Sequence, residues 1–296
     1  MAIDPKDLQY RVQELEKELA DRERDLAHYR GELSKANKKL ESLIGELSRD
    51  LKTATQIQRL LVPTEFPNIP GFEFSTKFIP SSVSGGDYLD IFEQKEKLKF
   101  GVLVSSASGY GLSALFLSAL LKYSGQPETK RGVAGMVDQI IRELLGEMKD
   151  TDKSELFYSV VDRKNFELEY VLFGQVSVFH HVYSQDEWLP LDRCGDSVTK
   201  GPREKSQAQR IALNSRDRLV ICSRGITESK NLEGEEYGNE RLIASILAGP
   251  KSGVHELRNH VFYEVQKFSE GQQPNRDQTV VVLEVKDRVI KLAKRP

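Results

Sequence analysis

Three short stretches carry side chains able to do chemistry. In Ser84-Gly85-Gly86-Asp87-Tyr88-Leu89-Asp90 a glycine pair precedes two carboxylates, the ligand type that hard divalent cations require. In extended backbone Asp87 and Asp90 point to opposite faces, so only one of them serves a given site. In Ser105-Ser106-Ala107-Ser108-Gly109-Tyr110-Gly111 small residues lead into a helical pattern, a layout that can offer backbone N–H groups to an anion. It lacks the lysine of a phosphate loop, and a turn that caps a helix explains the same residues. The third stretch, Val220-Ile221-Cys222-Ser223-Arg224-Gly225-Ile226-Thr227-Glu228, is an apolar strand that breaks into a turn with an arginine at the bend. Strand-end loops are where ligand sites are built. A guanidinium there has no lone pair for a metal, but it can pair with carboxylates or grip a phosphate in bidentate fashion.

Strands and helices must hold these stretches in place. Apolar or alternating segments at 72–79, 88–92, 100–104, 156–161, 168–173, 176–183, 218–222 and 279–285 are expected strands, and 112–123, 133–149, 240–248 and 254–268 are expected helices. The turn at Asp162-Arg163-Lys164-Asn165 points to antiparallel pairing rather than regular βαβ alternation, so the domain reads as α+β with helices covering sheets.

The first 62 residues follow a different rule. With Val12 at position a of a heptad, that position continues through Leu19, Leu26, Leu33, Leu40, Leu47, Ala54 and Leu61. Position d holds Leu8, Leu15, Arg22, Tyr29, Ala36, Leu43, Asp50 and Ile57. This is a coiled-coil pattern over about eight heptads, and so narrow a stripe on a lone helix leaves its leucines in water. A parallel homodimer is therefore expected over residues 1–62, followed by a linker at 63–70 marked by Pro63, Pro67 and Pro70, and a second domain over 71–290.

Charge and composition exclude several classes. Lys and Arg total 43 against 45 Asp and Glu, a formal net charge of −2, which gives no global attraction to nucleic acid or to an anionic membrane. No apolar run approaches the roughly 18 residues of a membrane span, and the N-terminus has no apolar signal core. The two cysteines, Cys194 and Cys222, lack metal-type spacing. A cytoplasmic protein is expected.

Read in order, Ile57–Pro63, Gly85-Gly86-Asp87-Tyr88-Leu89-Asp90, Ser106-Ala107-Ser108-Gly109-Tyr110-Gly111, Gly225-Ile226-Thr227-Glu228, Tyr237-Gly238-Asn239-Glu240-Arg241-Leu242 and Asp277-Gln278-Thr279 resemble the bacterial serine phosphatases of the SpoIIE/RsbU kind. These belong to the PPM class, similar to protein phosphatase type 2C. The resemblance implies an αββα sandwich and hydrolysis of phosphoserine or phosphothreonine by water held between two Mg²⁺ or Mn²⁺ ions. The implied partners are STAS-type regulatory proteins.

The departures fall on the implied metal ligands. Of the four acidic motifs only G-G-D-Y-x-D is whole, supplying Asp87. The aspartate of D-V-S-G-H-G falls on Ser106 and its histidine on Tyr110; the aspartate of T-D-G-I-T-E falls on Arg224; the first aspartate of D-D-x-T falls on Arg276, leaving Asp277. One aspartate and two arginines make a positively charged site of about +1, and guanidiniums ~5 Å from Mg²⁺ add several kcal/mol of repulsion. The expectation is a pseudophosphatase with no metal cofactor, its arginines paired with Asp87, Asp90 or Asp277, acting in signalling as a dimer that binds a protein partner. The alternatives are a phosphoprotein reader that uses the arginines on phosphate, and a weak metal-dependent phosphatase.

Overall fold

The computed structural model describes residues 5–61, 63, 65–81, 86–94, 98–108, 132–148 and 150–286. The chain divides into two compact units, Met1–Thr53 and Ala54–Pro296. Tyr110, the Ser84-Gly85 pair and the helix expected at 112–123 lie outside the described residues.

One uninterrupted helix, α1 (Pro5–Leu61), fills the first unit and enters the second, ending at the edge of the expected linker. Pro5 occupies the first turn, where its missing N–H costs nothing, and no proline follows until Pro63. Its 57 residues extend about 85 Å. Ion pairs one turn apart, Arg11–Glu14, Glu18–Arg22, Asp21–Arg24 and Glu32–Lys35, line the surface, each worth a few tenths of a kcal/mol. The seam residues Val12, Leu15, Leu19, Leu26, Leu33, Leu40, Leu43 and Leu47 are all 47–62% exposed. No described helix is long and apolar enough to cross a membrane.

The second unit holds ten strands: β1 (Phe72–Ile79), β2 (Asp87–Glu93), β3 (Lys99–Ser108), β4 (Lys153–Asp162), β5 (Glu167–Phe173), β6 (Ser177–Val182), β7 (Glu187–Pro190), β8 (Gln209–Ala212), β9 (Arg218–Cys222) and β10 (Gln278–Val285). They form two antiparallel five-stranded sheets, β1-β10-β9-β6-β7 and β2-β3-β4-β5-β8. The described helices are α2 (Gly132–Glu147), α3 (Arg224–Thr227), α4 (Gly238–Ala248) and α5 (Val254–Phe268). The short edge strands β7 and β8 escape the sequence pattern because half-exposed four-residue segments carry no clear period, and the single turn α3 is too short to show a helical one.

Strand alternation builds the layers. Leu219 and Ile221 of β9, with Val281, Leu283 and Val285 of β10, join the core between the sheets, which also takes Phe100, Val104, Phe157 and Tyr170. The intervening Val220, Cys222, Val280 and Val282 face the opposite way, into a second core with Leu242 and Ile246 of α4 and Leu257, Val261 and Val265 of α5. Helix α2 contributes Val137, Ile140, Ile141 and Leu144 against β4 and β5. Because β9 and β10 are buried on both faces, they read in sequence as continuous apolar runs rather than alternations. The result is an αββα sandwich, as the resemblance implies.

Candidate functional site

The site lies where the ends of β9, β10 and β2 meet. Antiparallel register sets Cys222 opposite Val280, so the chain leaving β9 passes the chain entering β10. Ser223 N donates to the Thr279 carbonyl at 3.0 Å, and Thr279 N donates to Ser223 Oγ at 3.0 Å. That reciprocal pair fixes the residues on either side, Arg224 after one strand and Arg276-Asp277 before the other. Across the second sheet Asp87 is in register with Ser106.

Asp87 is 1% exposed. Its Oδ2 accepts the Thr279 hydroxyl at 2.7 Å, and the hydroxyls of Ser223 and Ser106 also hydrogen-bond to it. Burial, and then the charge of Asp277, push its carboxyl up to about 7 despite these three bonds. Asp277 works on backbone: its oxygens accept Ser81 N at 2.7 Å, Gly86 N at 2.9 Å and Asp87 N at 3.3 Å. It therefore fastens the segment that leads into β2 to the start of β10. Asp90 lies on the face of β2 opposite Asp87, where Tyr88 OH donates to it at 3.2 Å.

The arginines find other partners than those expected. Arg224 donates through a terminal nitrogen to Glu155 Oε1 at 3.0 Å and through Nε to Glu228 Oε1 at 2.5 Å. Arg276 Nε lies 2.6 Å from Glu228 Oε2. Among the described residues, the ion pairs of both arginines are thus with Glu155 and Glu228, not with Asp87, Asp90 or Asp277. Glu228 is held between two guanidiniums and Arg224 between two carboxylates, an alternating ladder. Burial pulls the Arg224 guanidinium down, but Glu228 and Glu155 outweigh it and hold it above its ordinary value.

Glu155 is the residue that sequence reasoning missed. It is 1% exposed on β4, and also accepts Gln175 N at 2.7 Å and the Ser197 hydroxyl at 2.9 Å. Its signal was present: an isolated carboxylate in the otherwise apolar run Leu156-Phe157-Tyr158 that it precedes, which burial makes costly unless it is paired. Counting it with Glu228 and Asp277 reverses the charge balance. Four carboxylates, Asp87, Glu155, Glu228 and Asp277, stand against two guanidiniums, so the positively charged site inferred from the aligned positions alone is corrected to one with a net negative formal charge.

Two hard divalent cations would need several carboxylate oxygens converging on each ion. Among the described residues no group of three or more His, Cys, Asp or Glu side chains is placed to hold one. The oxygens of Asp87 and Asp277 are engaged by hydroxyls and backbone N–H groups, and Glu155 and Glu228 by guanidiniums. The donor set of the described residues does not fit a two-cation centre.

Gly225 shows how tightly the turn is built. A Cβ there would lie 1.9 Å from the Asp277 carbonyl oxygen, a backbone atom that cannot swing aside. Gly225→Ala is expected to cost about 1–3 kcal/mol or more, visible as a lower urea midpoint; an unchanged midpoint would show that α3 and β10 can separate freely.

The model of the Stage II sporulation protein E (SpoIIE) family matches residues 97–286. Phosphoserine phosphatase RsbU of Bacillus subtilis is 20% identical over 244 residues, covering 80% of this chain and 70% of RsbU. Protein IcfG of Synechocystis is 22% identical over 230 residues, covering 67% of this chain, which spans only 36% of IcfG. Among solved structures, the SiaA-PP2C domain of Pseudomonas aeruginosa superposes with a TM-score of 0.65 at 17% identity, covering 82% of this chain and 98% of that domain. Family model, relatives and sandwich architecture agree: the chain belongs to the SpoIIE family of PP2C-type phosphatase domains.

Proposed function

We propose that this chain is a catalytically inactive member of its family, a pseudophosphatase that works as a dimeric signalling protein by binding a protein partner. The observation that carries this reading is the Glu155–Arg224–Glu228–Arg276 ladder, in which side chains at two implied metal-ligand positions supply fixed positive charge. A resident guanidinium neutralises the carboxylates that a cation would otherwise neutralise, and it cannot be displaced without stranding them. No metal cofactor is then required. The exposed leucine seam of α1 supports pairing with a second copy, and the family resemblance supports a STAS-type regulatory protein as the partner of the sandwich domain.

Engagement of both arginines with carboxylates weighs against the phosphate-reading alternative, since an incoming phosphate would have to compete with Glu228 for each of them. The test is calorimetric titration of the full chain with Mn²⁺ and Mg²⁺, together with turnover of p-nitrophenyl phosphate. Neither binding nor turnover is expected. Manganese-dependent hydrolysis that disappears in Asp87→Ala would make the protein a working phosphatase. Tighter binding of a phosphorylated than an unmodified STAS-type protein, lost in Arg224→Ala, would favour the reader.

A further inference from the structure

The seam of α1 carries two charged residues at d positions, Arg22 and Asp50, and Arg22 lies between Leu19 and Leu26. Resting on the reading of α1 as a pairing helix, we infer that Arg22 is the charged layer that sets a parallel, in-register pairing of two copies of this chain.

In a parallel coiled coil each g residue faces the e residue five positions later on the other helix. Arg11 then faces Glu16 and Asp25 faces Arg30, both attractive, whereas Glu18 faces Glu23 and repels it. Arg22 lies beside that one like-charged pair. Within its own helix it is already bound to Glu18, at 2.7 Å. A d side chain packs into a hole bounded by the e residue of the facing helix, so the same guanidinium reaches Glu23 of the second copy. The layer becomes two guanidiniums among four carboxylates, which converts the repulsive pair into a bridged one.

Antiparallel pairing sets d positions against a positions instead. Those are Val12, the leucines from Leu19 to Leu47, Ala54 and Leu61, so Arg22 would face an aliphatic side chain and keep only Glu18 of its own helix as an ion-pair partner in the layer. Trading stability for register is the best-attested role of a polar residue in such a seam.

Sedimentation equilibrium of the full chain gives the dimer constant, and Leu19→Cys reports geometry, since only parallel in-register helices bring the two introduced thiols together; the parent chain controls for Cys194 and Cys222. The dimer is expected to form and to cross-link. Arg22→Glu is expected to weaken it about 100-fold by crowding carboxylates in one layer, with helicity by circular dichroism unchanged. Adding Glu18→Lys and Glu23→Lys to Arg22→Glu reverses every charge in the layer and is expected to restore the dimer. A dimer indifferent to Arg22→Glu, one that the triple variant fails to restore, or one that does not cross-link overturns the inference while leaving pairing intact. A monomeric parent chain overturns the pairing reading itself.

Discussion

Arg224→Asp is expected to lower the melting temperature of the sandwich domain by roughly 10 °C, from a loss of about 3–5 kcal/mol. The substitution restores the residue type of the family motif, yet in this chain it removes the cation that Glu155 and Glu228 share and adds a third carboxylate beside them. Glu155 cannot escape to solvent from β4, so its charge is left buried and only partly satisfied by Gln175 N and Ser197. Thermal unfolding with and without Mn²⁺ separates two consequences. The parent chain is expected to be indifferent to Mn²⁺. The Ser106→Asp, Arg224→Asp, Arg276→Asp triple variant is expected to be unstable alone and to regain stability as Mn²⁺ is added, by linkage of binding to folding. An Arg224→Asp protein as stable as the parent would mean that the ladder contributes nothing, and the proposed reading would lose its main support.

Asp87→Asn should have the opposite sign, and a pH dependence that identifies its cause. In the folded protein burial and the charge of Asp277 push the carboxyl up to about 7, against about 3.9 for an ordinary aspartate. Below about pH 4 the group is protonated in both folded and unfolded states and has no effect on stability. As pH rises towards 7 the unfolded chain releases the proton while the folded one retains it, and stability is lost; above 7 the loss levels off. The full shift corresponds to about 4 kcal/mol. The amide is isosteric and can still accept the Thr279 hydroxyl, so Asp87→Asn is expected to gain much of that amount at pH 8, on the order of 10 °C in melting temperature, and almost nothing near pH 4. A gain that does not vary with pH would point to packing rather than to the buried charge.

Much of this molecule was legible before any coordinates. The leucine spacing of α1 is a local property of one helix, so the sequence alone predicts a long rod with a single apolar seam, and the structure shows it. The doubly buried runs of β9 and β10 and the turn at 162–165 likewise announce themselves, since each depends on residues close together in the chain. The arginines at 224 and 276 were visible as departures from the motifs of the family that the sequence resembles.

What those arginines do was not visible. Glu155 is 69 positions from Arg224 and on the other sheet, brought near only because the two sheets pack against each other around one core. Charges in aligned motifs can be counted from sequence, but an electrostatic balance depends on every group within a few ångströms, and burial decides how strongly each one is felt. The sequence by itself determined which side chains stand at the strand ends. Tertiary structure decided their partners, and with them whether the site is a positive pocket or a closed ladder of alternating charge.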